Sequence, residues 1–153
     1  MTSSPRKPWL LIACLATVLL RAPSFRYGVV SDDEAIYSAM AQELHAGGVM
    51  YRDTVDHKPP GLAYTYAAAD SIAGGDVVKG MHVVHAMGLL AALGSCLAIE
   101  RIARLVLAPE VSGIAAILYA VTSATMIPVD GLAVNGELLM NLPATLAVLV
   151  ALV

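Results

Sequence analysis

Hydrophobic positions fall into four long runs along the chain, with the polar ones gathered between them. From Trp9 to Phe25 only Thr17, Arg21 and Ser24 interrupt the oil. Met81 to Ile99 is nineteen residues, about the length that crosses a bilayer's hydrocarbon core at roughly 1.5 Å per residue. Glu100, Arg101 and Arg104 close that run. A third run starts at Pro109-Glu110 and reaches Ile127. Proline suits a first helical turn, where its missing N–H has no partner to lose. A fourth begins near Leu138 and is still apolar at Val153. The pattern predicts an all-α, multipass membrane protein with helices over about 9–25, 81–99, 109–127 and 138–153. The last run lacks a polar or basic flank, so residues 1–153 are expected to be the N-terminal part of a longer transmembrane domain. Arg6, Lys7 and the twelve-residue stretch Trp9 to Leu20 resemble a signal peptide. The run resumes past Arg21 without a small-x-small cleavage site, so an uncleaved first helix is expected, with Arg21 snorkelling to the interface.

The segment 26–80 has a pattern of its own. Ser31-Asp32-Asp33-Glu34 has the spacing of a capping box, in which Ser caps the helix and Glu reaches back. Behind it Ile36, Tyr37, Met40 and Leu44 form one apolar stripe at helical spacing. Gly47-Gly48 supplies a stop. Val49 to Lys58 is irregular. Pro59-Pro60 opens a second short apolar stretch, Gly61 to Ala73, which Gly74-Gly75 ends. The two helices predicted here are too short or too amphipathic to span, and suit the membrane interface. Basic residues near helix ends set orientation. Arg6, Lys7, Arg101 and Arg104 put those ends in the cytoplasm. The loops 26–80 and 128–137 then face outward.

Composition strengthens this picture. Of the 153 residues, 58% are hydrophobic and 14% charged, and the mean hydropathy is +0.74. That is far more apolar than an ordinary soluble domain, and more than a chain this small can hide in one core. A formal charge of −3 gives no reason to expect nucleic acid as a partner. Cys14 and Cys96 lie inside apolar runs, and no disulfide is expected.

The chemistry-bearing residues lie in the outward loops. Asp32, Asp33 and Glu34 suit the first turn of a helix, where the dipole favours acids. A carboxylate held at the membrane face is also placed to act as a general base. Pro59-Pro60 restricts Lys58 to extended geometry, and its compact ammonium suits a phosphate. Arg52 either joins it or pairs with Asp53. Before the fourth helix, Glu137 either caps the helix or reaches the first-loop residues, and shares a face with Asn141. His82 and His85 are three apart, but a pair does not make a metal site, and interfacial histidines are the better reading. Asn141 and Pro143 mark a kink or an interhelical hydrogen bond.

Asp33-Glu34-Ala35-Ile36-Tyr37, then Gly47-Gly48-Val49-Met50-Tyr51-Arg52-Asp53, then Lys58-Pro59-Pro60 resembles the first outer loop of the GT-C glycosyltransferases. The group it is most similar to is family 39, with the protein O-mannosyltransferases, the lipid A aminoarabinose transferase and Rgt-type sugar transferases. The resemblance covers about residues 10–150. It implies transfer of a sugar from a polyprenyl-phosphate donor to a hydroxyl on a lipid, glycan or protein acceptor. The reaction would take place at the outer, periplasmic face of a bacterial inner membrane, among membrane lipids. By the same resemblance Asp33 is the catalytic base and Glu34 supports it. Lys58 and Arg52 bind the donor phosphate, and Glu137 is a second-loop acid. Asp32 remains helix capping. No resident metal is assigned, and a divalent cation is left open as a cofactor. The sequence departs from the aminoarabinose transferase at His57, where that enzyme has an acid before its Lys-Pro, so an identical donor or metal arrangement is not implied. The rival readings are a transporter subunit and a non-catalytic membrane scaffold. Transporters concentrate ionisable residues at the membrane midplane, whereas here the charges cluster in loops.

Overall fold

The computed structural model describes residues 8–54, 56, 58–107, 109–126 and 130–153. Arg6, Lys7, His57 and Ile127 lie outside the described residues, and with them the expected basic start, the loop histidine and the end of the third run. Among the described residues the chain is helical, without a β-strand. The helices are α1 (Trp9–Arg21), α2 (Asp32–His45), α3 (Gly61–Ile72), α4 (Val77–Val106), α5 (Pro109–Thr125) and α6 (Gly136–Leu152).

The short helices sit where the capping pattern predicts. Ser31 caps α2, its hydroxyl accepting from the Glu34 N–H at 3.4 Å. Gly47 takes φ +92° at the far end, a conformation that costs a residue with a Cβ. The helix of the second run is longer than predicted. It spans thirty residues, not the nineteen of Met81 to Ile99. Asp76 caps it from within the expected loop, accepting from the Lys79 N–H at 3.0 Å. At the other end Glu100 and Arg104 pair across one turn, so the helix continues through the charges expected to close it. The first helix changes at Arg21 into a 3₁₀ turn, Ala22–Arg26, around Pro23.

Two helices, Trp9–Arg26 with its 3₁₀ turn and Val77–Val106, are long and apolar enough to cross a membrane. The long helices run up and down. Gly113 meets Trp9, and the Arg21 Nη2 reaches the Ser123 carbonyl at 3.0 Å, so α1 and α5 are parallel. Gly88 meets Val134 and Leu138 while Gly94 meets Leu142, which aligns α4 with α6. Their interior is built from small residues: Ala13, Thr17, Ala92, Ser95, Cys96, Ala116 and Ala120 are buried. Large apolar side chains such as Leu15, Leu19, Leu90, Leu118 and Val150 point outward. Small residues inside let helices approach closely where burial of oil from water is not what drives association.

A second, conventional core lies at one end. Here α2 packs on α3, and α3 on α4. Tyr37, Met40, Leu62, Tyr66, Met81 and Leu138 fill it. The rings of Tyr37 and Tyr66 meet edge to face at 5.5 Å, a favoured aromatic geometry.

Candidate functional site

The end of the bundle carrying this core also gathers the candidate residues. In α2, Asp33 and Tyr37 are one turn apart, and the Tyr37 hydroxyl donates to Asp33 Oδ2 at 3.4 Å. Lys58 arrives from twenty-five residues away, its Nζ 3.2 Å from the same oxygen. A tight turn brings it there. Tyr51 adopts φ +67°, its N–H donates to the Thr54 carbonyl at 2.7 Å, and its hydroxyl donates to the Lys58 carbonyl at 3.1 Å. The Lys58 ammonium lies 5.4 Å from the centre of the Tyr37 ring, within reach of a cation–π interaction. The Tyr37 hydroxyl is the largest influence and raises that ammonium above the ordinary lysine range; burial, next in size, opposes it, and Asp33 adds to the rise. Asp33 Oδ2 thus takes both contacts, while Oδ1 accepts no hydrogen bond from a described residue.

Glu34 points the other way, into the core. Its reach back is to the Val30 N–H, at 2.8 Å, one residue before the cap. The same carboxylate accepts from the Val134 N–H at 2.7 Å and from His85 Nε2 at 3.2 and 3.3 Å. The Tyr66 hydroxyl donates to the Val134 carbonyl at 2.7 Å. Both polar backbone groups of Val134 are therefore held, and the loop before α6 is tied to α2 and α3. Burial pushes the Glu34 carboxyl up, but the hydrogen bonds from His85, Val134 and Val30 outweigh it and hold the group below the usual range. Glu34 is fully buried, so it supports the site and does not face it. His85 is buried as well, not an interfacial histidine, while His82 is only partly covered.

Arg52 stays apart. It pairs with Asp53 at 2.7 Å, with 70% of its side chain exposed. Asp53 also accepts from the Val49 N–H at 2.8 Å, so this pair closes its own turn and lines neither cavity described below. Glu137 is not the cap of α6. Asn135 is, accepting from the Leu138 N–H at 3.0 Å. The Glu137 side chain is left exposed and makes no hydrogen bond among the described residues. Asp32 is an exposed acid in the first turn of α2, whose cap is Ser31.

Two cavities share Lys58 and Glu137. One is polar, about 370 Å³, lined by Arg21, Asp33, Lys58, Asp130, Glu137 and Asn141 among others. The other is apolar, about 640 Å³, and runs past Pro59, Leu62, Leu139 and Met140. Among the described residues no three His, Cys, Asp or Glu side chains converge as a metal site.

Sequence reasoning missed two residues. His85 meets Glu34 across fifty-one positions, a pairing that only helix packing creates. Arg21 does not snorkel: it is 3% exposed. A signal for it existed, because Ala13, Thr17 and Arg21 recur every four residues as one small or polar stripe, the buried face of α1. No family model, characterised protein or solved structure matches the chain.

Proposed function

We propose that this protein is a multipass glycosyltransferase of GT-C type, using a polyprenyl-phosphate sugar at the outer face of a bacterial inner membrane. The observation that carries this reading is the Asp33–Lys58 pair at the junction of the polar and apolar cavities. A lipid-borne donor needs such a junction. Its chain lies along Leu62, Leu139 and Met140, its phosphate meets Lys58, and its sugar extends into the polar cavity. The small interior and large apolar exterior of the long helices support a membrane setting for all of them.

The chemistry follows from these positions. The acceptor hydroxyl attacks the anomeric carbon, and Asp33 Oδ1 takes its proton. The new carbon–oxygen bond forms as the bond from that carbon to the phosphate oxygen breaks. The phosphate leaves with the lipid, its charge countered by Lys58. Glu137 faces the same space and orients sugar hydroxyls.

Asp33→Asn tests this. Asn is still well placed in the first turn of α2, and Ser31 remains the cap, so the fold should persist. Loss of a general base typically costs about 10²–10⁴-fold. Sugar transfer in membranes carrying equal amounts of native or Asp33→Asn protein should fall on that scale. Undiminished transfer by the variant would remove Asp33 from catalysis and return SDDE to helix capping.

A further inference from the structure

Arg21 is a buried cation that the proposed mechanism does not use. It lies at the end of an apolar helix, almost fully buried. A charge there is costly unless it is paired or faces a polar space. Among the described residues no carboxylate pairs with it. The guanidinium has five N–H donors. Nη2 gives one hydrogen bond, to the Ser123 carbonyl at 3.0 Å, and Nε has no partner among the described residues. The side chain lines the polar cavity.

The charges facing that cavity sharpen the point. Asp33, Asp130 and Glu137 line it, against Lys58 and Arg21. Asp33 already holds Lys58. An anion entering would meet three carboxylates and one engaged ammonium. Arg21 alone offers it an unclaimed positive charge.

We infer that Arg21 is the principal anion-binding residue of the polar cavity and takes a phosphate oxygen there, beside Lys58. This inference rests on the reading of the cavity as a donor site, and gives Arg21 the phosphate-binding role that the resemblance implies for Arg52. Guanidinium suits the task, since its planar fork gives two parallel donors to one phosphate. The chemistry recognised is a phosphate group, carried by a prenyl chain or free.

The test is calorimetric titration of the purified full chain in detergent micelles with farnesyl phosphate, farnesol and inorganic phosphate. For Arg21→Gln, farnesyl phosphate affinity should drop by about tenfold or more, the scale of charge-assisted hydrogen bonding, with farnesol binding unchanged. Equal affinity in native and Arg21→Gln protein overturns the proposal, and so does a native protein that binds neither phosphate. Arg21-dependent binding of inorganic phosphate as tight as that of farnesyl phosphate upholds the anion site and rejects the lipid source. If Arg21→Gln does not fold, Thr122→Asp replaces it. That exposed position lines the same cavity, and an added carboxylate there must also weaken phosphate binding. Unchanged affinity in it overturns the proposal equally. Sugar transfer by Asp33→Asn is read separately. Lost phosphate binding in Arg21→Gln with undiminished Asp33→Asn transfer keeps Arg21 and removes Asp33 from catalysis, and retained phosphate binding with lost transfer overturns Arg21 and keeps Asp33.

Discussion

Glu34 shows how one side chain can be half legible in a sequence. The S-x-x-E spacing identifies a helix start, and Ser31 does cap α2. The spacing says nothing of His85 or Val134, because those contacts arise only when α4 and the loop before α6 close over the carboxylate. Arg52 is the converse. Its neighbour Asp53 was legible as a partner, and the pair stays local and exposed. Removing Glu34 strands three donors, of which those of His85 and Val134 are buried. Glu34→Ala should therefore destabilise the fold by about 3–5 kcal/mol, the usual cost of breaking a buried pair. Acid should act through the same group. Its carboxyl is held below the ordinary range in the fold. The stability it contributes is complete above the unfolded value, about 4.3, and is lost as pH falls through the lowered folded value. Thermal melting in detergent between neutral pH and about pH 3 should show a steeper acid loss in the native protein than in Glu34→Ala. Parallel acid curves would mean that other groups govern the acid sensitivity.

Among the elements, α4 departs furthest from its sequence-predicted bounds. Hydropathy marks only the stretch that matches hydrocarbon, Met81 to Ile99. It is blind to the cap at Asp76 and to the Glu100–Arg104 pair, which carry the helix on at either end. The small residues along α4 were legible as an apolar run, but not as a contact surface. Of the two α4 glycines that face α6 and its preceding loop, Gly88 leaves the less room for a Cβ. A Cβ there would lie 2.6 Å from Val134 Cγ2 and 3.2 Å from Leu138 Cδ2. Gly88→Val should cost about 1–3 kcal/mol through overpacking. Gly61, at the start of α3, has nothing within 4 Å of such a Cβ. Gly61→Ala should be neutral or stabilising, since Ala is the better helix former by about 1 kcal/mol. Melting temperatures of the two variants in the same detergent make the comparison. Gly88→Val as stable as Gly61→Ala would show that α6 does not pack on α4 at this point.

Across the whole molecule, Asp33, Asp130, Glu137 and Lys58 gather at one end of the bundle, and Arg101 and Arg104 sit at the other with Glu100. The sequence makes this separation visible through its alternation of apolar runs and charged loops. What it leaves hidden is that α2 and α3 form a packed cap over α4, because their apolar stripes meet each other as well as the long helix. The up-and-down order of α1, α4, α5 and α6 follows from the pairing of α1 with α5 and of α4 with α6, the connection from α1 to α4 being the long segment that holds α2 and α3. In a membrane it puts the α2–α3 cap on one side and the turn after α4 on the other. Gln42 in α2 and Arg101 in α4 are both exposed and suit cysteine probes. In a background with Cys14 and Cys96 replaced by alanine, a membrane-impermeant maleimide should label Gln42→Cys from outside intact cells. Arg101→Cys should react only after the membrane is opened. Labelling of both from the same side would break the up-and-down order in the membrane. Labelling of Arg101→Cys alone from outside would invert it and put the Asp33–Lys58 pair in the cytoplasm. A donor presented at the outer face would then never reach the pair, so this labelling pattern tests the proposed enzyme independently of any sugar.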